Sequence, residues 1–310
     1  MKVLITGAAG LLGSHFAAAL AGDHRVTGTD RHAWWGDRPV EFIQDDLLTP
    51  GFIEALLAQV SPDVLIHCAG LVNVDRCEEE PALAYAMNAE LTARLARALS
   101  QKALFVYITT DGIFRGDAPM ATEETLPCPR TVYGRSKLHG EWDVEILRHT
   151  SLIIRSNFFG WSSGRKQSSA EWLHAALERG APVTLFDDLF FTPIYVTHLV
   201  ERVVALVTGG HRGTFHVAGR DRVSKHQFGL ALADRAGLSA AAIVRGSLDA
   251  ASLAAPRPKD ISLNSDKVRL AIGRDAPSIE DGITEFLADR GRPLSDRAGR
   301  ATVRTSGHDD

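Results

Sequence analysis

The chain has 310 residues, of which 45% are hydrophobic. That is enough apolar material for about two domains of about 150 residues each, without disulfide or metal staples. A net charge of −4 excludes a nucleic-acid binder held by bulk positive charge. The three cysteines, Cys68, Cys77 and Cys128, match neither a disulfide framework nor a zinc-site spacing. Together with an opening segment that lacks signal-peptide architecture and no apolar run of membrane-spanning length, this leads us to expect a cytoplasmic protein with no membrane and no nucleic-acid partner.

Lys2–Thr6 is an apolar run ending at Gly7, as expected of a buried parallel strand. Leu11, Leu12, His15, Phe16, Ala19 and Leu20 recur at helical spacing. Arg25–Thr29 reads as a second strand closing at Asp30, and Val40–Ile43 as a third. Phe52–Val60 is a helix stopped by Ser61-Pro62-Asp63, and Val64–Cys68 is a fourth strand. A long helix is expected over Pro81–Ser100, then a strand at Ala103–Thr109, a helix at Val132–Arg148 and a sixth strand at Leu152–Arg155. Strands alternating with helices predict a parallel sheet covered on both faces.

Beyond residue 156 the alternation loosens. Ala170–Glu178, Thr197–Val207, Ser224–Ala236 and Ile279–Arg290 read as helices, and Thr214–Val217 as an isolated strand. Ala254–Lys259 is an extended loop, because Pro256 and Pro258 lack N–H donors. The predicted organisation is a dinucleotide-binding domain over residues 1–156, a substrate-binding region over 157–290 and a mobile tail over 291–310. The boundary at 156 is soft, and later segments are free to return to the first domain.

Ligands of such sheets bind at the carboxyl ends of the strands. Thr6–Gly13 reads TGAAGLLG there, a GxxGxxG loop between strand and helix. Gly7 permits a tight turn, Gly10 lets backbone approach a phosphate, and Gly13 lets the helix pack on the strand. The helix start at Leu11 and Leu12 then offers free N–H groups to a pyrophosphate. Asp30 is placed to accept from adenosine ribose hydroxyls, which favours NAD(H) slightly over NADP(H), while Arg31 beside it suits a 2′-phosphate. Asp46-Leu47 follows the third strand, where the carboxylate either meets the adenine amine or caps a helix.

Tyr133 and Lys137 stand at i and i+4 on one predicted helix. An ammonium beside a phenol stabilises its phenolate, which would suit proton donation to a carbonyl. Thr109-Thr110-Asp111 follows the fifth strand and can supply a hydroxyl and a carboxylate. The alternative is turn capping, and spacing alone leaves open which threonine faces the site. The histidines show no metal-ligand spacing, so no metal is expected.

These motifs resemble the extended short-chain dehydrogenase/reductases: TGAAGLLG at Thr6–Gly13, HCAG at His67–Gly70, TTD at Thr109–Asp111 and YGRSK at Tyr133–Lys137. The segments at Ala69–Pro81, Ile108–Asp117, Val132–Glu141 and Ala255–Lys267 are similar to the dTDP-4-dehydrorhamnose reductase branch and related sugar-nucleotide reductases. The resemblance implies a Rossmann-type doubly wound parallel sheet with a smaller C-terminal substrate-binding domain. It implies catalytic positions at Thr110, Tyr133 and Lys137, with Asp111 available to a substrate hydroxyl or to proton transfer. Lys137 and Tyr133 would also touch the nicotinamide ribose, Ala69 and Gly70 would line the cofactor, and Asn88 would support the adjacent loop. Asn157 and Arg257 would face the substrate, Arg257 as a guanidinium on its diphosphate.

The chain departs from this branch at Gly112, where an aromatic residue is common, and at Asn157-Phe158 and Asp260. The implied activity is reduction of a nucleotide-linked 4-keto-6-deoxy sugar with NAD(H) or NADP(H), possible homodimerisation being a family habit. Two alternatives share the site. One is a sugar-nucleotide epimerase or dehydratase, the latter disfavoured by Gly112. The other is a dinucleotide-binding regulatory subunit similar to that of methionine adenosyltransferase.

Overall fold

Strands alternate with helices through the first half of the computed structural model, which describes residues 1–163 and 167–298. The order is β1 (Lys2–Thr6), α1 (Leu11–Leu20), β2 (Arg25–Asp30), β3 (Glu41–Gln44), α2 (Phe52–Val60) and β4 (Val64–His67). Then come α3 (Val74–Glu79), α4 (Pro81–Tyr85), α5 (Leu91–Ala98), β5 (Leu104–Thr110), α6 (Val132–Leu147) and β6 (Ser151–Ser156). With Gly213–His216 at one edge, the strands form one seven-stranded sheet in the order Gly213–His216, β6, β5, β4, β1, β2, β3. All six pairings are parallel. The strand order reverses between β1 and β4, the switch point at which Rossmann-type sheets bind their ligands.

Side-chain alternation divides the core into two. Val3, Ile5, Val64, Ile66, Val106, Ile108, Leu152 and Ile154 face α1 and the helix Val196–Thr208. Leu4, Leu65, Phe105, Tyr107 and Ile153 face α2, α5 and α6. A sheet buried on both faces needs apolar residues at every position, which is why its strands read as continuous apolar runs.

Three expectations are corrected. The strand predicted as isolated at Thr214–Val217 is the edge strand of the main sheet, with Phe215 opposite Ile154. Val196–Thr208 packs on this sheet and Gly213–His216 extends it, a return of later segments that the soft boundary at 156 left room for. The smaller lobe pairs Val183–Phe186 with Ile243–Gly246 and Phe190–Phe191 with Val223–Ser224, beside the helices Ser169–Glu178 and Lys225–Arg235. Second, the helix expected over Pro81–Ser100 is interrupted by a π-helical turn at Ala86–Glu90.

Third, the expected mobile tail is ordered at its start. Leu294–Ala298 is a helix, and Leu294 packs on Ala18, Trp34 and Trp35. The Ser295 amide and hydroxyl both donate to the Asp37 carboxylate. One apolar residue in a polar stretch gives no periodicity, so sequence pattern missed it. The rest of the expected tail, 299–310, lies outside the described residues.

Leu294→Ala should cost about 2 kcal/mol, the lower end for a buried leucine, because this short helix can partly collapse onto the gap; a denaturant midpoint matching wild type would contradict the docking. A second test concerns pH. His15, His67 and His216 are buried, and burial lowers their pKa from 6.5 to about 4, about 3 and about 3. The folded chain resists their protonation while the unfolded chain takes up protons below 6.5. Stability should therefore be full above that pH and fall toward pH 4. His67→Asn should flatten part of that fall in equilibrium unfolding.

Candidate active site

The glycine loop follows β1. Gly7 takes the left-handed φ of +69°, and a Cβ there would lie 2.7 Å from the Ala69 amide nitrogen. The loop thus runs against the backbone that follows β4. A Cβ at Gly13 would lie 2.2 Å from the Gly7 carbonyl oxygen, so α1 rests directly on the loop. Gly10 is the N-cap of α1, and no side chain caps the helix. The first-turn amides of Leu11 and Leu12 remain for an anion, and the bare backbone cradle fits a dinucleotide pyrophosphate. Leu12 itself is buried in the core and Leu11 is half-buried.

At the end of β2, Asp30 accepts from the Ala9 amide at 3.2 Å and from the His32 amide at 2.9 Å. Its carboxylate therefore stands against the glycine loop. Arg31 is exposed and its guanidinium makes no ion pair among the described residues. The Trp35 indole donates to the Ala9 carbonyl at 3.1 Å, so the aromatic insert after Asp30 also leans on the loop. Asp46 accepts from the Leu48 amide at 2.9 Å inside a turn and caps no helix, since the N-cap of α2 is Gly51; Leu47 is buried in the second core.

After β4, Ala69 and Gly70 meet α6. A Cβ at Gly70 would lie 2.8 Å from Asn88 Oδ1 and 4.0 Å from Lys137 Nζ. Asn88 sits in the π-helical turn. Its side chain accepts from the Leu71 amide at 2.8 Å and donates to the Leu71 carbonyl and the Ser136 hydroxyl. The Asn88 carbonyl takes hydrogen bonds from Thr92 and Tyr107 side chains. The helix distortion thus pins the β4 loop to the helix that carries Tyr133 and Lys137.

Lys137 Nζ donates to the Ile108 carbonyl at 2.9 Å and lies 4.2 Å from the Tyr107 ring centroid. Burial lowers the ammonium to about 8, opposed by the Glu141 carboxylate one turn on. Glu141 is itself held by Arg155 at 2.7 Å in a buried ion pair.

Thr110, not Thr109, faces the tyrosine. Its hydroxyl accepts from the Gly112 amide at 3.0 Å and donates to Asp111 Oδ1 at 3.1 Å. Thr109 turns instead toward Glu141. A Cβ at Gly112 would lie 3.8 Å from the Tyr133 ring, an ordinary van der Waals contact. Burial pushes the Tyr133 phenol up, the neighbouring Thr110 hydroxyl opposes this, and the Asp111 carboxylate adds to it. That corrects the expectation of a phenol lowered by Lys137: the ammonium is turned into the Ile108 carbonyl and the Tyr107 ring.

Asp111 is buried, and Asn157 donates to its Oδ2 at 2.7 Å. Burial raises its carboxyl to about 6, opposed by the Asn157 hydrogen bond and by the charge of Lys225. Lys225 was not foreseen. It is the first residue of the helix Lys225–Arg235, and its ammonium lies 3.3 Å from the Phe191 ring centroid. A cation at the positive end of a helix dipole is unfavourable, and that misplacement was the one available signal. Arg257 lies on the extended loop, where its guanidinium meets Asp75 of α3 at 2.9 Å. Among the described residues, no three His, Cys, Asp or Glu side chains gather as a metal site.

The "RmlD substrate binding domain" family matches residues 1–291. The chain is 30% identical to the "Probable low-salt glycan biosynthesis reductase Agl14" of Haloferax volcanii, covering 93% of this chain and 98% of that one. It is 29% identical to the methionine adenosyltransferase 2 subunit beta of Rattus norvegicus, over 93% and 89% of the two chains. Among solved structures, the dTDP-4-dehydrorhamnose reductase of Bacillus anthracis in complex with NADP superposes with a TM-score of 0.83 at 27% identity. That match covers 93% of this chain and 100% of the other. The seven-stranded sheet and the span of the match agree: this chain belongs to the RmlD substrate binding domain family.

Proposed function

We propose that the protein is an NAD(P)-dependent reductase of a nucleotide-linked 4-keto-6-deoxy sugar. The observation that carries this reading is a convergence. Thr110, Tyr133, Lys137 and Gly70 meet at the carboxyl ends of β4 and β5, beside the glycine loop. The fold relatives that reduce sugar nucleotides, and the NADP bound by the Bacillus anthracis protein, support the same assignment.

The dinucleotide, when bound, supplies hydride to the keto carbon. Gly7, Gly10 and the amides of Leu11 and Leu12 hold its pyrophosphate. Asp30 accepts from the adenosine ribose, and NAD(H) is favoured because a carboxylate there repels a 2′-phosphate. The Lys137 ammonium would hold the nicotinamide ribose. Tyr133 gives its phenolic proton to the oxygen that becomes a hydroxyl, and Thr110 holds phenol and substrate oxygen together. A phenol that burial keeps protonated is suited to the acid half of this step. Arg257 would exchange Asp75 for the substrate's diphosphate, and Asn157 would hold Asp111 toward the sugar.

A second reading is favoured by the methionine adenosyltransferase 2 subunit beta relatives, which match nearly the whole chain. On that reading the protein binds a dinucleotide and a partner without turnover.

Purified protein should oxidise NADH or NADPH when given dTDP-4-dehydrorhamnose or a related keto sugar nucleotide. Tight dinucleotide binding without oxidation, together with capture of a methionine adenosyltransferase catalytic subunit, would replace the first reading by the second. Tyr133→Phe should lower kcat by about a hundredfold or more, with dinucleotide affinity kept within about twofold; unchanged turnover would remove Tyr133 as proton donor. Asp30→Ala should weaken NADH more than NADPH in equilibrium titration. Equal losses would separate Asp30 from cofactor choice.

A further inference from the structure

The connection between β2 and β3, residues 31–40, holds no helix or strand, yet it is tightly built. Trp34 is its anchor. That ring lies against Phe42 of β3 with centroids 6.0 Å apart, and its indole N–H donates to the Arg38 carbonyl at 3.1 Å. A Cβ at Gly36 would lie 2.2 Å from the Trp34 ring, so the chain folds back over Trp34 only because glycine stands there. The Arg38 guanidinium in turn donates to the Ala18 carbonyl of α1 at 3.1 Å. Trp35 is half-buried and packs with Trp34 against Ala18 and Leu294. An indole has one polar atom, and that atom is a donor only. Trp35 aims it at the Ala9 carbonyl in the glycine loop, 3.1 Å away. A ring needed only as cover would require no such aim.

The backbone around Ala9 is held at three points. The Ala9 amide donates to Asp30 at 3.2 Å, the Ala9 carbonyl accepts from Trp35, and the Gly10 amide donates to the Gly7 carbonyl at 3.0 Å. The last two groups belong to one peptide plane. In a planar trans peptide the C=O and N–H point opposite ways. The Gly10 amide is therefore turned toward Gly7 and the Ala9 carbonyl away from it. This plane leads straight into Gly10, the N-cap of α1, and so sets the course of the Leu11 and Leu12 amides. Its orientation matters to an anion. A carbonyl oxygen carries partial negative charge, and a loose one beside the first turn opposes the positive helix end that attracts phosphate. Gly10 has no Cβ to resist rotation, so the restraint comes from the bonds at the two ends of the plane.

We infer that Trp35 is a positioning residue of the dinucleotide site. Its indole N–H holds the Ala9–Gly10 peptide in the orientation that presents the Leu11 and Leu12 amides to the pyrophosphate and keeps the Ala9 carbonyl turned outward. Trp35 acts through this backbone and not by stacking on the adenine. The inference rests on the dinucleotide half of the reading above, and it holds whether or not the protein turns over a sugar nucleotide.

The test titrates NADH, ADP-ribose and adenosine into the full-length protein by calorimetry. Trp35→Phe keeps a ring and removes the donor. It should raise the dissociation constants of NADH and ADP-ribose together, by about threefold to tenfold, as expected for one neutral hydrogen bond. Adenosine, which lacks the pyrophosphate, should bind within about twofold of wild type, less than a lost contact would cost. Trp34→Phe disturbs the same connection without reaching Ala9, and should weaken NADH less than Trp35→Phe does. With dTDP-4-dehydrorhamnose as substrate, Trp35→Phe should raise KM for NADH while kcat stays within about twofold. Unchanged NADH and ADP-ribose affinity in Trp35→Phe, where wild type binds both, overturns this inference and leaves the reductase reading standing. An equal loss for adenosine overturns it by placing the ring on the adenine. Equal losses in the two variants overturn it by reducing Trp35 to packing. Wild-type protein that binds neither NADH nor ADP-ribose rejects the dinucleotide reading, and this inference with it.

Discussion

Two stretches of backbone touch where the sheet changes direction, and the site depends on that touch. Gly7 leaves β1 in a left-handed turn whose missing Cβ would collide with the backbone at Ala69. Because β1 and β4 are neighbours with their following helices on opposite faces, the gap between them opens into a crevice at the strand ends. The glycine loop forms one lip and Ala69-Gly70 the other. Any side chain at Gly7, Gly13 or Gly70 would fill the crevice or spread its walls.

The far lip is held by polar groups that have been taken out of water and paired. Asn88 grips Leu71 from both sides, Tyr107 and Thr92 take up the Asn88 carbonyl, and His67 bridges Thr6 and Thr92. Breaking one member leaves its partner buried and unmet, which costs more than the bond contributes. Asn88 lies in the π-helical turn at Ala86–Glu90, where the regular i→i+4 ladder is broken. The result is a rigid seat for Lys137, whose ammonium would otherwise be an expensive buried charge.

The sheet was readable from the chain because fully buried parallel strands must be apolar throughout, and the glycine loop because only glycine fits its contacts. Tyr133 and Lys137 were readable from one helical spacing, and Thr110 was narrowed to two candidates until the turn at Asp111–Ile113 fixed its direction. Other features depend on long-range placement that local pattern does not encode. Gly213–His216 joins the sheet only because the chain crosses back over it. The phenol's pKa is raised rather than lowered because Lys137 turns away. Lys225, whose charge acts on Asp111, comes from the smaller lobe, with only its misfit to the helix dipole as a sign. Arg257 meets Asp75 at a sequence separation of 182, beyond any spacing rule.

The hydrogen bond between Ser295 and Asp37 links positions 258 apart, and the helix that makes it also covers Trp34 and Trp35. Trp35 in turn braces the carbonyl of Ala9 inside the glycine loop. During synthesis the loop emerges well before its outer brace. A nascent chain can form β1, α1 and β2 early, but the Trp35 side of the crevice gains its final support only when the closing helix docks. A polypeptide without that helix would keep the glycines and lose the buttress behind them.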